Sequence, residues 1–210
     1  ASMLQHSSLT EAKRLLSKHL ASCDKEARLL AERRESIVEW VELVDEANMV
    51  LRLRPTTVSI RYLPSRELLC LRGRFSGNFA ESIVSLDFAS YVQGLDNAIC
   101  GPVILGFDTV EDAMLSASGG RECDMRMLQK PIRPIEPQNN WVQPEGMYLS
   151  TYHVGAFENM GDAYQRLLGF ARENGYKVVG PAIERFVSDF WTTYNPDLFV
   201  VEILLLTETE

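Results

Sequence analysis

Apolar residues recur along this chain with two different periods, and the change of period divides it. From Leu9 to about Leu51 no proline or glycine interrupts the sequence, and Leu16, Cys23, Leu30, Ile37, Val44 and Leu51 return every seven residues. Leu15, Leu29 and Leu43 flank this line on one side, and Leu20, Ala27 and Val41 on the other, so the stretch reads as one long helix with a coiled-coil-like seam. Ser8-Leu9-Thr10-Glu11 has the spacing of a capping box at its start, and Arg52-Leu53-Arg54-Pro55 ends it, because a proline disfavours helical geometry just before itself. The expected division is a dimerisation helix over 8–54 and a second domain over 56–210. At about 1.5 Å per residue some 40 residues extend roughly 60 Å, against roughly 40 Å across a compact domain of about 150 residues. Part of the helix is therefore expected to stand clear of its own domain. An apolar stripe of that length needs a partner, and a second copy of the chain, parallel or antiparallel, is the simplest one.

From Val58 the period becomes two. Val58-Ser59-Ile60-Arg61-Tyr62 and Glu67 to Phe75 alternate as strands do, and a helix is expected from about Asn78 to Gln93. Gly101-Pro102 opens a strand through Phe107, and a polar, glycine-containing connection from Asp108 to Gly120 leads to a strand at Glu122–Leu128. After a proline-rich link from Pro131 to Pro144 the order repeats. A strand begins at Gly146, Gly155-Ala156-Phe157 matches Gly73-Arg74-Phe75, and a helix runs from near Met160 to Asn174. Gly180-Pro181 then opens a strand, and Leu198 to Leu205 forms the last one. Two copies of a β-α-β-β unit, about 58–130 and 146–207, predict an α+β domain with one antiparallel sheet and its helices on one face. A ligand cleft is expected where the two units meet.

The internal repeat singles out one residue. Gly101-Pro102-Val103-Ile104-Leu105-Gly106-Phe107 aligns with Gly180-Pro181-Ala182-Ile183-Glu184-Arg185-Phe186, so Glu184 stands where the first copy holds Leu105. The architecture does not demand a carboxylate there. A buried carboxylate is costly until a cation replaces its lost water, so the position favours positive charge, and aromatic walls add cation–π attraction. A strand glutamate is more often a solvated or ion-paired surface residue, and Arg185 is adjacent; alternation, however, sends Arg185 to the opposite face.

Charge and composition narrow the classes. A net charge of -8 argues against direct nucleic-acid binding by this segment, which needs clustered Lys and Arg. No apolar run reaches the length of about 20 residues that crosses a bilayer, and no signal peptide opens the chain, so a cytoplasmic location is expected. Cys23, Cys70, Cys100 and Cys123 lack CxxC spacing and read as buried free thiols. His6, His19 and His153 are scattered, and the Gly119-Gly120 pair lacks the spacing and lysine of a phosphate loop, so no metal or cofactor is expected. Ala1-Ser2 ahead of Met3 suggests that the natural chain is longer.

The duplicated Gly-x-Phe and Gly-Pro signals, Tyr152 to Phe157, Gly180 to Phe186 and Asn195 to Ile203 together resemble the effector-binding part of MerR-family transcriptional regulators. That part joins a dimerising helix to a GyrI-like small-molecule-binding domain built of SHS2 repeats. The resemblance implies a homodimer that binds a lipophilic, cationic multidrug-type effector and reaches promoter DNA only through a winged helix-turn-helix domain outside this chain. It places Glu184 in the pocket, paired with the cation, and Phe186 and Phe199 on its walls. Tyr148, Trp141 and Tyr91 complete the candidate lining, with Glu202 at a comparable strand position. Two other functions are carried by the same resemblance. A GyrI-like hydrolase would use Glu184 or Glu202 with Tyr148 or Tyr152 as a general base of raised pKa. A gyrase-inhibitor-like module would bind a protein partner instead.

Overall fold

The computed structural model describes residues 8–117 and 122–209; the Ala1-Ser2 start, His6 and the Gly119-Gly120 pair lie outside the described residues. Helix α1 spans Leu9–Leu53, and the Glu11 amide donates to Ser8 Oγ at 3.3 Å, as the capping sequence predicts. It ends at Arg54, whose positive φ of 45° turns the chain just before Pro55. The chain falls into two units, one up to Val38 and one from Glu39 onward. In the first, Leu16, Leu20, Leu30 and Ile37 are exposed in the single chain, so the seven-residue stripe is unsatisfied there. Cys23 lies on that stripe and is exposed, which corrects the expectation that all four thiols are buried; Cys70 is half-buried, and Cys100 and Cys123 are buried.

The second unit is built on an eight-stranded antiparallel sheet. In chain order its elements are β1 (Ser59–Leu63), β2 (Arg66–Phe75), α2 (Phe79–Ile83), α3 (Leu86–Gly94), β3 (Val103–Phe107), α4 (Val110–Ala117) and β4 (Cys123–Gln129). There follow β5 (Asn140–Gln143), β6 (Gly146–Val154), α5 (Gly161–Glu173), β7 (Tyr176–Ser188) and β8 (Val200–Thr209). The strand order β1-β6-β8-β7-β3-β4-β2-β5 carries the duplication in its symmetry. The β2, β3, β4 set and the β6, β7, β8 set each run outward as second, third and first strand from a central β3·β7 pair. In that pair Val103 faces Phe186, Leu105 faces Glu184 and Phe107 faces Ala182. Under the repeat alignment the outer pairs exchange and the middle pair maps onto itself, so the pseudo-twofold axis passes between Leu105 and Glu184. The two Gly-Pro signals share a physical cause, since Gly101 and Gly180 have φ of 68° and 71°, a left-handed conformation that glycine tolerates best. A Cβ at Gly180 would also stand 2.8 Å from the Asp108 carbonyl oxygen.

Period-two alternation sends the strand side chains to two faces. On one face Leu69, Phe75, Leu105, Phe107, Phe186 and Ile203 form a single core with α2, α3, α4 and α5. On the other, Leu43, Ala47 and Val50 from the last turns of α1 cover Val187 and Val200.

Three local readings are corrected. The helix expected over 78–93 is two short helices, because Ser85 caps a new start by accepting from the Phe88 amide at 3.1 Å. The stretch read as a connection from Asp108 contains α4. Its start is set by Thr109, whose Oγ1 accepts from the Asp112 amide at 3.1 Å and donates to Asp112 Oδ2 at 2.7 Å, while Val110, Ala113 and Ala117 face the core. The proline-rich link holds β5, which pairs with β2 from Arg66↔Gln143 to Leu69↔Asn140 and so closes that edge of the sheet.

Candidate ligand site at the repeat seam

Glu184 has no exposed surface. Its Oε1 accepts a hydrogen bond from the Tyr164 hydroxyl at 2.7 Å, and its Oε2 is buried with no partner. Loss of hydration raises the Glu184 pKa to about 8, and the bond from Tyr164 opposes the rise only in part. Tyr164, itself fully buried, is pushed well above the usual phenol range by burial and then by the neighbouring carboxylate. The Cys123 thiol is pushed up to about 11 by burial, Asp112 and Glu184, in that order. The seam therefore holds a carboxyl group that is largely protonated at neutral pH when nothing positive is near it.

Beside it on the same face of the sheet lies an aromatic cluster with rings from both repeats. Phe186, two residues along β7 on the same face, meets Phe157 edge to face with ring centroids 5.1 Å apart. Phe157 stacks on Phe199 at 4.5 Å, and Phe79 bridges Phe157 at 5.5 Å to Phe75 at 4.9 Å. Phe75 and Phe157 are the two phenylalanines of the repeated Gly-x-Phe signal, so the duplication delivers one ring from each half to the same cluster. At the outer end of the seam a cavity of about 290 Å³ lies between Val110 and Met114 of α4, Leu168 of α5 and Val178–Gly180 of β7, with Asp108 and Glu111 on its rim.

Of the seven candidates read from the sequence, Glu184, Phe186 and Phe199 belong to this helix-covered face. Tyr91 is on the same side but removed, donating from α3 to the Cys70 carbonyl at 2.9 Å and to Asn139 Oδ1 at 3.3 Å. The other three lie on the opposite face. Tyr148, on β6, is buried in a cluster with Leu68, Ile104 and Leu204 and donates to the Pro144 carbonyl at 2.8 Å. Trp141 sits on β5 with the Arg126 guanidinium 5.9 Å from its ring centre. Glu202 is buried among cations: Arg185 Nε reaches its Oε2 at 2.8 Å, Arg61 pairs with its Oε1, and Ser150 donates to that same oxygen at 2.8 Å. Arg185 also pairs with Glu46 of α1, which accepts from the Tyr152 hydroxyl at 2.8 Å. Tyr164, on the buried face of α5, is not among the seven candidates. A tyrosine on a buried helical stripe needs a hydroxyl partner, and that need was the available signal.

Residues 129–206 match the family model of the GyrI-like small molecule binding domain. No curated protein matches the chain in sequence. Its fold is similar to the crystal structure of the C-terminal domain of EcmrR, a MerR-family protein, at 13% identity and a TM-score of 0.61 over 73% of this chain and 98% of that one. Against EcmrR in a cryo-EM complex with DNA the values are 14% and 0.59, covering 97% of this chain and 78% of that one. A crystal structure of a hydrolase from Listeria innocua is similar at 14% and 0.50, covering 73% and 92%. At these identities the likeness is one of fold. The chain thus resembles, in element order and fold, the C-terminal effector-binding part of MerR-family regulators, with a GyrI-like match over its second half.

Proposed function

We propose that this chain is the effector-sensing part of a cytoplasmic transcriptional regulator, in which a lipophilic aromatic cation binds at the repeat seam and is neutralised by Glu184. The observation that carries this is the fully buried Oε2 of Glu184, a carboxyl oxygen with no hydrogen-bond partner on the seam between the two repeats. A buried polar atom left unpaired costs about 1–3 kcal/mol, and a cation among aromatic rings recovers it with added cation–π attraction. Because Glu184 is closed off, the ligand enters only when the helices over the seam part, and the acidic rim between α4 and α5 draws cations to that point. Arg185, the next residue on β7, points to the other face and holds Glu46 of α1. A displacement of β7 at Glu184 therefore passes through one peptide unit to the helix. The pairing is a homodimer of α1 helices joined along Leu16, Leu30 and Ile37, and promoter DNA is contacted by a domain beyond this chain.

Two measurements test this. In a fluorescence titration with ethidium and with an uncharged phenanthridine of the same shape, the cation is expected to bind at least about tenfold tighter; equal affinities would contradict a charge-reading site. Sedimentation equilibrium at micromolar concentration is expected to give twice the mass of one chain, and a monomer would remove the dimer. A second function is favoured by one contact. The Tyr164–Glu184 pair, a carboxyl of raised pKa bonded to a phenol, has the composition of an acid–base dyad for hydrolysis of an electrophilic small molecule. Turnover of epoxide or strained-ring substrates that disappears in Glu184→Gln would assign it, and no turnover of either class would remove it.

A further inference from the structure

The face of the sheet opposite Glu184 contains a second cavity, of about 420 Å³, between the last turns of α1 and the strands. Its charged walls do not balance. Four cations, Arg61, Arg66, Lys130 and Arg185, face three carboxylates, Glu39, Glu46 and Glu202. The carboxylates are already engaged: Glu39 holds Lys130 at 2.5 Å, Glu46 holds Arg185 and Tyr152, and Glu202 takes Arg61, Arg185 and Ser150. Arg66 is the remainder. Its Nε donates to Gln143 Oε1 at 2.8 Å, and its terminal nitrogens have no partner among the described residues. That bond uses the amide oxygen of Gln143 and leaves Gln143 Nε2, in a side chain that is 1% exposed, as a buried donor with no acceptor. Desolvation and the neighbouring Arg185 hold the Arg66 guanidinium below its usual pKa, with Glu202 offsetting only part of this. The surplus is thus entirely one of donors and positive charge, in a chain whose net charge is -8.

We infer that this cavity is a binding site for a small anion bearing carboxylate or phosphate oxygens, distinct from the cation site across the sheet. The planar fork of Arg66 presents N–H donors to such a group, and Gln143, whose amide oxygen takes Arg66 Nε at 2.8 Å, fixes the guanidinium from the cavity wall. The volume suits a small molecule carrying two or three anionic groups and is too small for a nucleic-acid backbone. The site also has a regulatory consequence. Lys130 and Arg185 are held by Glu39 and Glu46 of α1, so a bound anion competes with the helix for the cations that fasten it to the sheet.

Calorimetric titration of the full chain with citrate and, separately, pyrophosphate at about 150 mM salt, where long-range screening is strong, tests the site. Saturable binding of at least one anion with a dissociation constant below about 1 mM is expected, and the tighter arm assigns carboxylate or phosphate chemistry. Arg66→Gln should weaken that binding at least about tenfold, the value of a lost charge-assisted bond. Arg66 Nε also holds the buried Gln143 side chain, so the melting temperature of the variant is measured alongside its affinity to establish that it is folded. The site is overturned if neither anion binds saturably up to about 10 mM, or if a folded Arg66→Gln variant binds as tightly as the parent.

Discussion

Glu184→Gln should lower ethidium affinity by about a hundredfold at pH 8.5, because it removes the buried negative charge of the seam while keeping the shape of the side chain. The same substitution should flatten the pH profile. In the parent, Glu184 titrates near 8, and its proton must leave before the carboxylate can pair with a cation. Below that value each unit of pH costs about tenfold in affinity, so binding at pH 6 is expected to be roughly a hundred times weaker than at pH 8.5. The glutamine variant has no proton to lose there and should show no such slope. Stability without ligand runs in the opposite sense. A carboxyl whose folded-state pKa is raised from 4.5 to about 8 favours folding in its neutral form. That contribution is complete below pH 4.5 and is lost as pH rises through 8. Between pH 5 and pH 9 the parent should lose on the order of 3–5 kcal/mol relative to Glu184→Gln, read as a widening difference in urea midpoints. A difference that stays constant with pH would mean that Glu184 is charged in the folded chain at all these values.

The second large effect belongs to the other face. Arg185→Ala should destabilise the chain by about 3–5 kcal/mol, because it leaves Glu46 and Glu202 without their shared cation in a largely buried setting. Arg61 still reaches Glu202, so the loss falls most heavily on Glu46 and on the seating of the last turns of α1. Urea unfolding measures the total. Increased amide hydrogen exchange confined to the end of α1 in the variant would locate it there. A cost below about 1 kcal/mol would show that the pair behaves like an exposed ion pair, and the connection from Glu184 through Arg185 to α1 would lose its physical basis.

How much of this was legible in the sequence depended on whether a local cause was enough. Gly101 and Gly180 announced their role because positive φ restricts the residue type wherever it occurs. Gly73-Arg74-Phe75 and Gly155-Ala156-Phe157 announced theirs by repetition, and the expectation that both halves join one sheet followed from the same repetition. The helix α4 was hidden because the glycines after it dominated the stretch, although Thr109 and Asp112 carry a capping signal. The division of candidates between two faces was only half visible. Alternation puts Glu184 and Phe186 together, and Val201, Ile203 and Leu205 together. Relating one strand's parity to the next requires the register, which here pairs Glu184 with Ile203 and Arg185 with Glu202. Without it, Glu202 and Tyr148 could not be assigned to the α1 face. Tyr164 was out of reach for a related reason: its hydroxyl finds Glu184 across a helix-to-strand contact that no sequence spacing encodes.

If a cation binds by pairing with a carboxyl group that is protonated beforehand, binding must release that proton. Calorimetric titration of ethidium into the chain at pH 6.5, repeated in buffers of different ionisation enthalpy, counts it directly. Close to one proton released per cation bound is expected in the parent, and none in Glu184→Gln. Ethidium bound by the parent with no proton released would contradict the assignment of Glu184 as the group that receives the ligand.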